Sequence, residues 1–262
     1  MKRSILGLSL SSLLAACGGS HGNAAASKSF TYGAPQAPTQ SEQAAAATAQ
    51  GHLSATADFS AAPSAEKGAS IIALADELAF AELGASTPVP HPGGPELPRA
   101  LRNADYSACT TVTATSVTFR NCSQQEGGFT ITLNGSVTVA AGAVSWDING
   151  DFSGTSPDGA TGSVSLHQSG NLAVTATTIS GKALSEFSGT VTSRGQTFNF
   201  GLATAAVMNL TYQSTPTSCV TGGTLEVKRV WTQRPAGVSG ANDVAIKLTW
   251  TGCNAVQVAH SQ

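Results

Sequence analysis

Six oxygen-bearing side chains stand at a spacing that suits a hard cation. Asp147, Asn149, Asp151, Ser153, Thr155 and Asp158 fall at positions 1, 3, 5, 7, 9 and 12 of one short stretch. Calcium takes six to eight oxygen ligands, and a loop with this spacing can fold several of them around one ion. The same residues also fit a plainer pattern. Asp147, Asn149 and Asp151 alternate with Val144, Trp146, Ile148 and Phe152, as the polar face of a half-buried strand would. Carboxylates two apart on a strand stand roughly 6.5–7 Å apart at the backbone, too far for one compact site unless the chain turns at Gly150. The reading adopted is a solvated strand face and no metal; a calcium site at Asp147, Asn149, Asp151 and Asp158 is the alternative.

The segment Asp147-Ile148-Asn149-Gly150-Asp151 resembles the start of EF-hand and dockerin calcium loops. It departs from them at position 6, where the sharp turn needs glycine and this chain has Phe152, and no helical pattern precedes or follows it. Other chemistry is sparse. His167 lies in phase with serines and threonines and reads as a solvated strand histidine; His260 lies near the chain end. Neither has a sequence partner that would nominate it as a general base. G-x-S-x-G, Walker and H-E-x-x-H motifs are absent from the sequence, so no catalytic residue and no cofactor are assigned.

The start of the chain carries the clearest signal. Lys2 and Arg3 form a basic n-region, and residues 5–16 form an apolar run too short to span a bilayer. The run ends in Leu14-Ala15-Ala16-Cys17, which resembles the lipobox of bacterial lipoproteins. That resemblance covers residues 1–17 and implies cleavage before Cys17 and acylation of it. Gly18, rather than aspartate, favours the outer membrane within that family. The expectation is a protein anchored in the cell envelope through an N-terminal lipid, a partnership in which each buried methylene adds roughly 0.8 kcal/mol.

Composition agrees with an exported β protein. Charged residues are 11% of the chain, against roughly 25% in typical soluble domains, and the net charge is −2. No nucleic-acid partner is implied by such a balance. Once Cys17 is given to lipid, Cys109, Cys122, Cys219 and Cys253 form an even set without CxxC spacing, as expected for two disulfides in an oxidising compartment. The pairing expected is Cys109–Cys122 and Cys219–Cys253.

The elements follow in order. Residues 1–16 read as signal peptide, and 17–63 as the lipidated N-terminus and a flexible linker rich in Ala, Ser, Gly, Gln, Thr and Pro. Residues 64–84 read as one amphipathic helix, with Ser64 as N-cap, Gly84 past its end, and Ile71, Leu74, Ala75, Leu78 and Ala79 on one face. Five prolines make 85–105 a connector.

From 106 to 262 the period is two. Phe129, Ile131, Leu133, Val137 and Val139 alternate with Thr130, Thr132, Asn134, Ser136 and Thr138, and similar runs follow through Trp146, Leu172 and Phe200. Asn134-Gly135 and Asn149-Gly150 would ordinarily signal hairpins. Two-residue turns there would set Leu133 against Ser136 and Trp146 against Ser153, mixing the faces, so both are read as continuous strand. Turns are placed instead at Gly142, 156–159, Ser180-Gly181, Arg194-Gly195 and 214–216. For the disulfides, a hairpin centred on Thr115-Ser116 would set Cys109 opposite Cys122, and pairs Val227–Leu248 and Trp231–Val244 would bring Cys253 near Cys219. The fold class expected is mainly β, an antiparallel meander of about eight long strands (up-and-down barrel, half-barrel or sandwich) with one N-terminal helix.

Two functional expectations follow. The first is a non-enzymatic envelope lipoprotein with a structural or interaction role and an unidentified protein or lipid partner. The second is a carrier or sensor of an apolar ligand, because long one-sided strands plus an amphipathic helix resemble the plan of half-barrel lipoproteins. A transmembrane barrel is disfavoured: aromatics are 6% and form no paired girdles.

Overall fold

The computed structural model describes residues 21–40, 42–44, 46–47, 50, 107–126, 128–140, 142–155, 159–175, 177–213, 219–236, 242–253 and 255–262. Cys17, Asp158, the helix expected at 64–84 and the connector lie outside the described residues.

Ten antiparallel strands form one sheet in sequence order: β1 Thr110–Val112, β2 Ser116–Glu126, β3 Phe129–Ala140, β4 Ala143–Thr155, β5 Thr161–Val174, β6 Thr178–Ser193, β7 Gln196–Gln213, β8 Cys219–Gln233, β9 Val244–Gly252 and β10 Ala255–His260. β1 and β10 are the two edges, so the sheet is open, a simple meander rather than a closed barrel or a sandwich. Eight of the strands, β2 to β9, run from 9 to 18 residues.

Alternation explains why these segments are strands. Along β4 the side chains of Val144, Trp146, Ile148 and Phe152 are buried, while Asp147, Asn149, Asp151 and Ser153 are exposed. The dry set joins one cluster that runs from Val117 and Phe119 in β2 to Val258 in β10. Each fully buried aliphatic or aromatic side chain contributes about 1.5–3 kcal/mol, and a one-residue slip would forfeit the whole set. Asn134-Gly135 and Asn149-Gly150 do sit inside β3 and β4. Gly135 adopts φ +136° and faces the backbone of Asp147 so closely that a Cβ would lie 2.2 Å from its carbonyl oxygen.

Three local expectations are corrected. Ser180-Gly181 is not a turn; it lies within β6, and the chain reverses at 175–178. That turn and the one at 113–116 are built alike. The Thr175 hydroxyl accepts hydrogen bonds from the N–H of Thr177 and Thr178, and the Thr113 hydroxyl from Thr115 and Ser116. The first hairpin is therefore centred on Ala114-Thr115, with Val112 opposite Val117. In the last hairpin Leu225 pairs with Leu248 and Val227 with Ile246, a register two residues from the one expected.

Both cysteine pairs nonetheless meet. A bulge after Phe119, with Asn121 at φ 49°, returns Cys122 to the dry face, and Cys109–Cys122 closes with Cα atoms 5.2 Å apart. The observed β8–β9 register, together with Gly223 at φ 97°, brings Cys219 and Cys253 to a Cα separation of 5.6 Å.

The N-terminal segment differs most from expectation. Residues 21–40 are not a free tether but a strap laid on the domain. Helix α1, His21–Ser27, packs Ala25 against Leu184, Ala203 and Ala205 on the outer face of β6 and β7. Tyr32 and Gln36 then bridge to Ser261 and Val258, covering the β10 edge. The alanines that made this stretch look featureless are what allow α1 to lie close on the sheet.

Candidate functional site

Chemistry-bearing residues gather in three places. The first is the wet face. Asp147, Asn149 and Asp151 occupy successive outward positions on β4, opposite Ser169, His167 and Ser165 of β5. Gly150 is extended strand between them, so the turn that a calcium loop needs is absent, and no group of three or more metal-ligating side chains forms among the described residues. Asp151 accepts a hydrogen bond from the Ser165 hydroxyl at 2.9 Å, and His167 Nε2 lies 3.3 Å from Asp147 Oδ1. Both pairs are solvated. Among the described residues no hydroxyl bonds to His167, so no nucleophile–base pair forms there.

Beside these residues the face dips into a groove of about 430 Å³. Short serines (Ser163, Ser165, Ser188) lie within it, with Asp151, Asn199 and Gln233 also lining it. Thr190 donates to Asn199 Oδ1 at 2.7 Å, which orients that amide. Hydroxyls, amides and one carboxylate can hydrogen-bond a polar partner.

The second place is the seam between strap and sheet. Lys228, only 8% exposed, donates to the carbonyls of Ala26 and Lys28 at 2.9 and 2.8 Å and pairs with Glu226 at 3.2 Å. Tyr32 donates its hydroxyl to Glu226 at 2.5 Å. Burial, then the hydrogen bond and charge of Glu226, push the Tyr32 phenol well above its ordinary range. Lys28 pairs with Asp243, which also accepts the Trp231 N–H at 2.9 Å. Burial alone would raise the Asp243 carboxyl, but these bonds and the charges of Lys28 and Arg234 hold it below the usual range.

Further along, Thr39 and Glu42 form a capping box: Glu42 accepts from the Thr39 N–H and hydroxyl, and Thr39 Oγ1 accepts from the Glu42 N–H. The other Glu42 oxygen lies 2.8 Å from His260 Nε2, and Ala46 enters the dry cluster. His260 is thus a latch in β10. Burial raises the Glu42 carboxyl, but the bonds from Thr39 and the charge and bond of His260 outweigh it and hold it low.

The third place is a polar row across the dry face. Gln168, Ser185, Thr204 and Arg229 are all buried and lie side by side on β5, β6, β7 and β8. At about 4.8 Å per strand the row spans roughly 14 Å. Burial pulls the Arg229 guanidinium below its ordinary range.

Sequence reasoning found the wet face and missed the seam and the row. The row had a signal: each member breaks its strand's apolar alternation, and the four breaks fall at one ladder level. The fold defines the protein as an open antiparallel β meander with an N-terminal strap. No protein-family model, no curated protein and no solved structure matches the chain.

Proposed function

We propose that this is a non-enzymatic lipoprotein of the cell envelope, acylated at Cys17, carried to the outer membrane, and acting through its surface as a structural or interaction protein. The observation that carries this reading is the state of the dry face. Val117, Leu133, Val144, Ile148, Leu172 and Val258 are each 0% exposed. Full burial of these side chains is what a packed core gives, and it supports packing rather than an open apolar cavity at these described residues. The wet face, by contrast, is solvated and lined by hydrogen-bonding groups, with no nucleophile–base pair among the described residues. The lipobox resemblance at residues 14–17 supplies the anchor.

Two measurements test it. Mass analysis of the N-terminal peptide from the native protein should show a diacylglyceryl thioether on Cys17, and Cys17→Ala should release the protein from membranes. Native mass spectrometry of the mature protein should give the mass of the bare polypeptide plus its N-terminal lipid. A second, dissociable lipid would overturn the reading in favour of a carrier.

A further inference from the structure

We infer that the outer face of β6, β7 and β8, where α1 is docked, is the side of the domain held against the lipid headgroup layer. The inference rests on the acylation of Cys17 proposed above. The leash is then very short. Cys17 precedes His21, the first residue of α1, by four residues, which reach at most about 14 Å when fully extended. One helical turn, roughly 6 Å, carries the chain on to Ala25.

Ala25 is 0% exposed and packed on Leu184, Ala203 and Ala205, all outward positions on β6 and β7. The strap is pinned again at β8 by Lys228, beside β9 by the Lys28–Asp243 pair, and at β10 by backbone bonds from Gly33 to His260 and from Gln36 to Val258. The anchor therefore leaves the domain from the middle of one sheet face, not from a strand end or a distant linker. A free coil from residue 17 to 63 would have a root-mean-square span of roughly 35–40 Å and would let the domain tumble. A four-residue leash keeps this face next to the bilayer and orients the domain. The polar groove at Asp151 and Asn199 opens on the same face, so a partner that fills it must fit between domain and membrane.

The experiment uses the mature lipidated protein, extracted from membranes and reconstituted in supported bilayers of phosphatidylethanolamine and phosphatidylglycerol. Neutron reflectometry reads the hydrated gap between headgroups and protein. The expected gap is below about 15 Å. Inserting thirty Gly/Ser residues between Gly18 and Gly19 should widen it to roughly 30 Å, the span of such a coil. Ala25→Arg, which expels α1 from the sheet, should widen it as well. A gap of 30 Å or more in the unaltered protein, unchanged by the insertion, would overturn the inference while leaving Cys17 acylation intact. An unmodified Cys17 in the N-terminal peptide mass would overturn the anchor reading, and this inference with it.

Discussion

Replacing Lys228 with methionine should release the strap while leaving the sheet folded. Methionine keeps the length and the apolar stem of the side chain and removes the ammonium. The side chain is 8% exposed, and its ammonium donates to two carbonyls of the strap, Ala26 O and Lys28 O, while pairing with Glu226. Hydrogen bonds from a charged group contribute about 1.5–3 kcal/mol each, and relief from burying the charge offsets part of that. A net cost of about 2–4 kcal/mol for keeping the strap docked is the result, which is roughly a 30- to 900-fold rise in its open population. Amide hydrogen exchange reads this directly, because Gly33 N–H and Gln36 N–H are bonded to His260 and Val258 only while the strap is down. Exchange in peptides covering 28–38 should speed up by that factor, while peptides from β4 and β5 stay protected. Tyr32→Phe, which removes the hydroxyl bond to Glu226, should give the same pattern at about fivefold. Unchanged exchange in 28–38 for Lys228→Met would refute the reasoning that this residue holds the strap.

Three further outcomes are expected. Removing Cys109–Cys122 by paired serine substitution should lower stability by about 3 kcal/mol and removing Cys219–Cys253 by about 4 kcal/mol, since the loops span 13 and 34 residues; denaturant titration compares them. Glu42 and Asp243 both titrate below the usual carboxylate range when folded, so the stability they add is complete above their unfolded values near pH 4, and is lost as pH falls through their lowered folded values. Melting temperatures measured from pH 7 down to pH 2 should therefore drop steeply at the acid end, and Glu42→Gln should flatten that drop. Gly170→Ala should cost about 1–3 kcal/mol or more, because its Cβ would fall 2.2 Å from the Trp146 ring; Gly195→Ala, with open space around it and only its φ of 74° against it, should cost about 1–2 kcal/mol by the same thermal melt.

The sheet was legible because a period of two with a kept phase leaves little freedom. Once Leu133 and Val137 must share a face, Asn134-Gly135 cannot be a hairpin, whatever its turn propensity. The same reasoning applied to Ser180-Gly181 would have placed it in β6, since Ile179, Ala183 and Phe187 keep one phase across it. The turns that were missed use hydroxyls rather than glycine. Val112-Thr113-Ala114-Thr115-Ser116 and Val174-Thr175-Ala176-Thr177-Thr178 are near repeats of one device, in which the first threonine bonds to amides ahead of it. In the first hairpin the two-residue register difference followed from misplacing such a turn; there and in the β8–β9 hairpin a shift of two conserves the face, so the cysteine pairing survived it. The strap escaped notice for a different reason. Ala25 and Tyr32 carry no local pattern, and their partners Leu184, Ala203 and Glu226 lie more than 150 residues away along the chain. Contacts so remote leave nothing in composition or periodicity to read.

An alanine scan along β4 tests the central claim, that one chain alternation divides a dry surface from a wet one, more directly than any other measurement. Substituting Val144, Trp146, Ile148 and Phe152 one at a time should lower unfolding free energy by about 2–5 kcal/mol each. Substituting Ser145, Asp147, Asn149 and Asp151 should change it by no more than about 0.5 kcal/mol. The account predicts a saw-tooth profile of denaturant midpoints with a period of two residues and no break at Gly150. A flat profile, or one whose phase reverses beyond Gly150, would contradict it.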